Sequence, residues 1–249
     1  MVEGLGLFFE PRSVAVIGAS EKPGTIGRAI MTNLLGKFRG RVIPVNIKYD
    51  RVFGLRCYRS IRDVPEDVDL AVIAVPAKVV PQVAEECGEK GVRGLIVISA
   101  GFREVGEEGA RLERELVSIV RRFGMRMIGP NCLGVYDAYT GLDTVFNPDE
   151  KQGKPGPGGV AFISQSGALG AAILDWLARA GVGMSKFVSY GNATDVKEYE
   201  LIEYLAQDPR TRVIAAYIEG VEDGRRFVEA VEKAVEAGKP VVVLKAGKT

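Results

Sequence analysis

Histidine is missing from this chain of 249 residues. Within these residues its absence excludes Ser–His–Asp triads, histidine metal ligands and acid–base catalysis by imidazole. Cysteine is scarce as well, because Cys57, Cys87 and Cys132 are odd in number and widely spaced. This pattern favours reduced thiols in a cytoplasmic protein over a disulfide framework or a paired-cysteine metal site, and we expect no metal.

Long apolar runs and an excess of charge of either sign are also lacking. The longest runs, such as residues 70–76 and 95–99, have the length of strands and fall far short of a bilayer span. Residues 1–9 carry an acid and two glycines and do not resemble a secretory signal. The 33 basic and 32 acidic side chains nearly cancel. We therefore expect a soluble protein that binds neither nucleic acid nor membrane. Its charged fraction of 26% would also suit a thermophile.

Strand and helix patterns alternate along the chain, which predicts an α/β fold with parallel sheets. The first half predicts strands over residues 13–17, 41–45, 70–75, 94–99 and 126–128. Helices are predicted between them over residues 25–35, 78–90 and 107–123. Together these elements make one complete doubly wound unit.

A glycine- and proline-rich stretch, residues 137–159, interrupts this alternation. Beyond it the pattern predicts strands over residues 160–163, 186–189, 213–218 and 241–244. Helices are predicted over residues 168–180, 196–206 and 225–237. We therefore expect a second parallel α/β domain, with the division after residue 128, giving domains 1–128 and 129–249. No helix pattern follows the last strand, so we expect the second domain to be incomplete at its C-terminal end.

The first predicted strand runs into the loop GASEKPGTIG, residues 18–27. Small residues at such a turn let backbone amides approach a pyrophosphate at the positive end of a helix. The spacing departs from GxGxxG, and a tight turn without a ligand is the alternative. We favour nucleotide binding by a loop whose small residues are Gly18, Ala19, Ser20, Gly24, Thr25 and Gly27.

Asn46 and Lys48 follow the second predicted strand, where an NAD-binding fold carries a carboxylate for the ribose hydroxyls. This chain has no acid at that strand tip. A lysine there favours a phosphorylated ribose, so NADP and coenzyme A (CoA), whose adenosine carries a 3′-phosphate, both remain candidates. Taken by itself, Lys48 reads as an ordinary solvated lysine.

Other candidate residues lie at the ends of later strands, where ligands bind in open α/β sheets. In the stretch VAFISQSGALG, residues 160–170, a buried strand breaks into a helix whose free amides suit a phosphate. Asp195 is expected to cap the helix that follows it. Cys132 has no histidine to activate it and reads as a small packed residue. The candidates at strand tips and turns are Val75, Pro76, Ser99, Gly101, Asn131, Ser164, Ser166, Gly167 and Glu219.

Four motifs, in their order and spacing, carry a family resemblance. They are VIGAS at residues 16–20, PVN at 44–46, GPNCLG at 129–134 and ISQSG at 163–167. Over essentially the whole chain they resemble the nucleoside-diphosphate-forming acyl-CoA synthetases, which include ADP-forming acetate–CoA ligase and the α subunit of succinyl-CoA synthetase. The resemblance implies a Rossmann-like CoA-binding domain followed by a flavodoxin-like, succinyl-CoA synthetase-like ligase domain.

The resemblance also implies roles at matching positions. The loop of residues 18–27 would hold the CoA pyrophosphate, with Asn46 and Lys48 near the adenosine and Asn131 near the thiol. The pantetheine crevice would be bordered by Val75, Pro76, Ser99 and Gly101. A phosphate-facing helix N-terminus would include Ser164, Ser166 and Gly167. Glu219 would match the carboxylate that contacts the family's catalytic histidine.

The activity implied is acyl-CoA + ADP + phosphate = acid + ATP + CoA, through an acyl phosphate and a phosphohistidine. It implies ATP or ADP with Mg on an ATP-grasp subunit or domain, and hence a hetero-oligomer. In the family the histidine follows a segment like residues 245–249, so we expect the sequence to stop before the catalytic loop and the chain alone to be inactive. Two alternatives remain. One is a non-catalytic CoA- or nucleotide-binding module, and the other is an NADP-dependent oxidoreductase, which leaves SQSG and Glu219 unexplained.

Overall fold

A computed structural model describes residues 4–147 and 152–247 of the chain. Within these residues the strands form two five-stranded sheets and a short hairpin. The first sheet and its connections comprise β1 (Ser13–Ile17), α1 (Ile26–Lys37), β2 (Arg41–Val45), β3 (Arg51–Val52), β4 (Leu55–Arg56), β5 (Leu70–Ile73), α2 (Val80–Lys90), β6 (Gly94–Val97), α3 (Glu107–Arg122) and β7 (Arg126–Ile128). The second comprises β8 (Gly134–Asp137), β9 (Pro157–Ser164), α4 (Gly167–Arg179), β10 (Met184–Ser189), α5 (Glu198–Gln207), β11 (Val213–Ile218), α6 (Gly224–Glu236) and β12 (Val241–Lys245).

The first sheet is parallel and has the order β2-β1-β5-β6-β7. Strands β1, β5 and β6 bury every residue, as expected of a sheet covered by helices on both faces. Ile17 pairs with Val45 on one side and Ile73 on the other, so the carboxyl ends of three strands lie side by side. The strand order reverses beside β1, and this reversal marks the edge where open α/β sheets bind ligands.

The second sheet has the order β12-β11-β9-β10-β8, and β8 pairs antiparallel with β10. The predicted parallel arrangement holds for the other four strands, and the antiparallel edge strand β8 was not predicted. All four residues of β8 are buried, but the strand is too short and too close to glycine and proline for its pattern to be read from the sequence.

The predicted elements agree closely with the observed ones, and the α/β fold class is confirmed. Strands β1, β2, β7 and β11 begin and end at the predicted residues. Strands β5 and β6 end two residues earlier than predicted, at Ile73 and Val97, because the chain turns there toward short 3-10 helices. Within the described residues, no helix combines the length and the apolar composition needed to cross a bilayer.

An ion cluster lies buried in the second sheet around Lys186, which is 1% exposed. Its Nζ lies 3.2 Å from Asp137 Oδ2 and 3.0 Å from Asp208 Oδ2. Thr211 Oγ1 also donates to Asp208 Oδ2, at 2.6 Å. Burial opposes ionisation of Asp208, but the hydrogen bonds from Thr211 and Lys186 outweigh it and lower its pKa. The cluster joins β8, β10 and the turn after α5.

Candidate functional site

The loop between β1 and α1 brings backbone against backbone at two glycines. Gly18 has a φ of 98°, and a Cβ on it would lie 2.4 Å from the carbonyl oxygen of Ala74. A Cβ on Gly27, in the first turn of α1, would lie 1.9 Å from the carbonyl oxygen of Gly18. Only glycine permits these approaches, which draw the free amides at the start of α1 against the tip of β1.

The side chains of the loop hold its shape. Thr25 is the N-cap of α1, because its Oγ1 accepts from the Arg28 amide at 3.3 Å, and it donates to Lys22 O at 2.8 Å. Ser20 accepts from the Lys22 amide at 3.0 Å. Gly24 has a φ of 77° with open space around it. The Thr25 hydroxyl both donates and accepts inside the loop, whereas the Ser20 hydroxyl only accepts, so the loop offers a ligand its backbone amides and the Ser20 hydroxyl proton.

Asn46 ties the end of β2 to this loop. Its Nδ2 donates to the carbonyl oxygen of the buried Ala19 at 2.8 Å, and its Oδ1 accepts from the Lys48 amide at 2.9 Å. The Lys48 side chain is exposed. Arg59 donates to Ile47 O at 3.2 Å, so a second cation lies at the same turn. Arg59 also pairs with Asp50, at 3.3 Å, so an anion beside this turn would meet Lys48 and a guanidinium that is shared with a carboxylate.

The tips of β5 and β6 are joined by Ser99, whose hydroxyl donates to Val75 O at 2.5 Å. Val75 is half-buried, and Pro76 is exposed just before a 3-10 turn. The structure separates Gly101 from this group, because Gly101 lines another cavity, of about 540 Å³, between α2 and α3. Ala100, one residue earlier, lines the cleft described next.

A cleft of about 590 Å³ lies between the carboxyl ends of the two sheets. The structure brings together in it candidate residues from four separate stretches of the sequence. The first sheet contributes Ser99, the turn after β7 contributes Asn131, and the second sheet contributes Ser166, Gly167 and Glu219. The cleft therefore joins the β6 tip to a helix N-terminus and a carboxylate.

The GPNCLG turn forms one wall of the cleft. Asn131 has a φ of 59°, and its amide donates to Ser99 O at 2.9 Å. Cys132 is 3% exposed, and burial raises its pKa to about 12. Its reading as a packed residue is confirmed, because a thiol with that pKa is not ionised near neutral pH.

The N-terminus of α4 forms another wall. Ser166 is its N-cap, with Oγ accepting from the Leu169 amide at 3.3 Å, and Gly167 is its first residue. Both line the cleft, where the positive end of the helix dipole favours an anion. Ser164 is fully buried, and its hydroxyl donates to Ser166 O at 2.7 Å. It shapes the turn and does not line the cleft.

Glu219 is exposed at the end of β11, where its backbone is held by a residue that sequence reasoning missed. Gln165 Oε1 accepts from the Gly220 amide at 3.1 Å and also from the Glu219 amide. Gln165 lines the same cleft. Because Gln165 lies inside the SQSG motif, the sequence could have identified it as a candidate site residue.

Asp195 does not cap α5, so that expectation is wrong. Its Oδ2 accepts from the Met127 amide at 2.7 Å and from Arg126 Nε at 3.1 Å, and the N-cap is Lys197. Two donors from β7 engage the carboxylate in place of the helix amides. Asp195 therefore joins the two sheets.

Two helix N-termini, those of α1 and α4, are available to a ligand. The Glu219 carboxylate lines the same cleft as the second of them. Among the described residues, no group of three or more Cys, Asp and Glu side chains is placed to hold a metal ion. The chemistry of the two helix N-termini suits phosphate groups, which backbone amides and hydroxyls can hold.

Comparison with known proteins agrees with this geometry. Residues 12–138 match the family model of a CoA binding domain. The chain belongs to the CoA-binding domain family. Residues 157–249 match a second family model, the succinyl-CoA ligase like flavodoxin domain. The resemblance drawn from the four motifs is confirmed.

The curated relatives are ligases. ADP-forming acetate–CoA ligase I of Archaeoglobus fulgidus is 52% identical over 241 residues, which are 97% of this chain and 34% of that protein. The α subunit of ADP-forming acetate–CoA ligase II of Pyrococcus furiosus is 49% identical over 245 residues, 98% of this chain and 52% of that protein. The chain therefore spans from about a third to about half of the length of these relatives.

Two solved structures are also similar to nearly the whole of this chain and to about half of their own length. A crystal structure from Pyrococcus horikoshii has a TM-score of 0.92 at 46% identity and covers 98% of this chain and 55% of that one. Acetyl-coenzyme A synthetase 1 of Candidatus Korarchaeum cryptofilum, in complex with phosphate and ADP, has a TM-score of 0.91 at 41% identity. The match covers 100% of this chain and 53% of that one. Both domain folds are therefore shared with these proteins.

Proposed function

We propose that the chain is the CoA-binding and phosphate-handling part of an ADP-forming acid–CoA ligase. The observation that carries the proposal is the single cleft lined by Ser99, Asn131, Ser166, Gly167 and Glu219. A thioester placed in this cleft lies next to a helix N-terminus that suits phosphate. Both family matches support this reading.

In the proposal CoA lies along the carboxyl edge of the first sheet. Its pyrophosphate meets the amides of residues 18–27 at the start of α1, and its 3′-phosphate meets Lys48 and Arg59. The pantetheine chain passes Val75, Pro76 and Ser99 toward Asn131. The proposal retains two domains, 1–128 for CoA and 129–249 for the phosphate chemistry.

The reaction proposed is acyl-CoA + ADP + phosphate = acid + ATP + CoA. Phosphate attacks the thioester carbonyl, the C–S bond breaks, and an acyl phosphate and CoA are formed. A histidine then takes the phosphoryl group, which releases the acid, and passes it to ADP. In these steps the Ser166 hydroxyl and Gly167 amide donate to phosphate oxygens, and the Glu219 carboxylate accepts a hydrogen bond from the imidazole N–H.

The proposal assigns the histidine, the ATP-grasp unit and Mg to the remainder of a larger cytoplasmic enzyme. The relatives include a subunit named α and proteins about three times the length of this chain. Large apolar side chains on β12 and α6 suit burial by such a partner. Those exposed by more than half are Val228, Val235, Val242 and Leu244.

Calorimetric titration with CoA, dephospho-CoA and NADP tests the nucleotide assignment. We expect CoA to bind more tightly than dephospho-CoA by about fivefold, as an exposed charge contact would give. Lys48→Ala should reduce this difference, with Arg59 left to contact the 3′-phosphate, whereas the distant control Lys233→Ala keeps it in full. Equal affinity for CoA and dephospho-CoA in the wild type would remove Lys48 from the site. A preference for NADP would favour the oxidoreductase alternative.

Glu219→Gln, made in the complete enzyme, is expected to slow formation of the phosphoenzyme by about tenfold or more, the range for groups that orient a catalytic side chain. The amide cannot stabilise positive charge on the imidazole as the carboxylate does. Rapid-quench measurement of radiolabelled phosphoenzyme gives the rate, and Glu232→Gln on the exposed face of α6 is the control. An unchanged rate in the Glu219 variant refutes the role.

A non-catalytic CoA-binding module is the second candidate, because the chain itself contains no histidine. It predicts CoA binding with no partner and no phosphoenzyme. Affinity purification of the native protein from its source, followed by mass spectrometry, separates the two. A stably associated ATP-grasp polypeptide, or one covalently continuous with this chain, favours the ligase.

A further inference from the structure

Asn192, which follows β10, uses its whole side chain to join the two sheets. It is 8% exposed. Its Nδ2 donates to Glu104 Oε2 at 2.9 Å and to Glu113 Oε2 at 2.7 Å. Its Oδ1 accepts from Asn131 Nδ2 at 3.2 Å. Both amide protons and the amide oxygen are therefore committed to residues that precede the second sheet.

The backbone of Asn192 also forms hydrogen bonds with residues that precede the second sheet. Its amide donates to Pro130 O at 2.9 Å, and its carbonyl accepts from the Arg103 guanidinium. The preceding Gly191 has a φ of 53°, and a Cβ there would lie 2.3 Å from Asn131 O. The segment is thus fitted closely against the GPNCLG turn.

Glu104 connects Asn192 to the segment that follows β6. Its Oε1 accepts from the Gly101 amide at 2.6 Å and from the Phe102 amide at 3.1 Å, while Oε2 accepts from Asn192. Burial opposes ionisation of Glu104, but these hydrogen bonds outweigh it and lower its pKa. One carboxylate therefore links the second sheet to the backbone just after Ser99 and Ala100.

We propose that Asn192 is a positioning residue of the CoA site, which acts through Glu104 and Asn131 to fix the separation of two walls of the cleft. This inference rests on the function proposed above. Asn131 lines the cleft and its amide binds Ser99 O, so a shift at Asn192 moves the turn and the β6 tip together. Because CoA must contact both walls, such a shift lowers the affinity of the protein for CoA.

Asn192→Asp tests the inference, because it places a carboxylate against Glu104 and Glu113. Arg103 faces these carboxylates, at 3.6 Å from Glu113 and 3.9 Å from Glu222, and Arg114, Arg121 and Lys197 line the same pocket as Glu113. We expect CoA affinity at pH 7.5 to fall about tenfold, the effect of breaking one buried hydrogen-bonded contact. The loss should shrink as the pH is lowered toward 5, because a proton shared among the carboxylates restores a donor.

Two further variants separate positioning from a general loosening of the fold. Arg126→Met breaks another contact between the sheets, at the amino end of β7, where Arg126 Nε lies 3.1 Å from Asp195 and Nη2 lies 2.8 Å from Glu200. It should lower thermal stability and leave CoA affinity unchanged. Adding Glu104→Gln to Asn192→Asp restores a donor, since the introduced amide still accepts from Gly101 through its oxygen, and should recover most of the affinity.

The inference is overturned if Asn192→Asp binds CoA like the wild type, if Arg126→Met weakens binding equally, or if the double variant is no better than the single one. Failure of the wild type to bind CoA would contradict the proposed function instead. In that case hydrogen exchange at the Gly101 and Phe102 amides tests whether Asn192 positions the β6 tip. Faster exchange in Asn192→Asp supports positioning of the β6 tip, and unchanged exchange refutes it.

Discussion

Gly27→Ala is expected to weaken CoA binding by about ten- to a hundredfold, the effect of losing a hydrogen bond to a charged phosphate group. The added methyl group would lie 1.9 Å from the carbonyl oxygen of Gly18 and 3.3 Å from Ala19 Cα, both backbone atoms that cannot rotate away. Helix α1 must therefore retreat from the tip of β1, and its free amides move with it. Calorimetric titration with CoA measures the loss.

Gly36→Ala is the matched control, since Gly36 lies on the exposed face of the same helix with nothing within 4 Å of a Cβ. It should bind CoA normally and gain about 0.5–1 kcal/mol of stability from the higher helix propensity of alanine. Normal CoA affinity in the Gly27 variant would show that the start of α1 does not hold the coenzyme.

Lys186→Met is expected to lower the free energy of unfolding by about 3–5 kcal/mol, as does removal of one partner from a buried ion pair. Asp137 is fully buried and Asp208 is 8% exposed, so neither carboxylate can turn to water when the ammonium is lost. Among the residues that the structure describes, the Thr211 hydroxyl and the Arg210 amide, at 3.4 Å, would still donate to the Asp208 carboxylate. Urea denaturation followed by circular dichroism measures the change.

Lys233→Met provides the comparison, because Lys233 pairs with Glu203 on the surface and its side chain is 60% exposed. Its effect on stability should be small. An equally small effect for Lys186→Met would mean that the second sheet does not depend on its buried ion cluster.

Much of the fold could be predicted because its strands are continuous apolar runs. The four residues of β5 and the six of β11 stand out between polar turns, and the positions of helices follow from the intervals. The two-residue strands β3 and β4 and the edge strand β8 were not predicted, because they are short and lie among turn residues. Periodicity needs a longer segment to be visible.

The candidate site was predictable where a motif brought its residues close in sequence, as at Ser166 and Gly167. The roles of Gln165 and Asn192 were not, because their partners are 54 to 88 residues away. Ser164 and Gly101 were expected at the ligand, but the hydroxyl of one serves the turn and the other borders a different cavity. Motif membership identifies a loop, whereas only the packed structure shows which atoms face the cleft.

Hydrogen exchange with and without CoA tests the central claim, that one coenzyme reaches from the first loop to the cleft between the sheets. The account predicts CoA-dependent protection of residues 18–27 at one end and of Ala100 and Asn131 at the other. Helix α6, which lies outside the cleft, should exchange unchanged. Protection confined to one end, or the absence of protection at saturating CoA, would contradict the account.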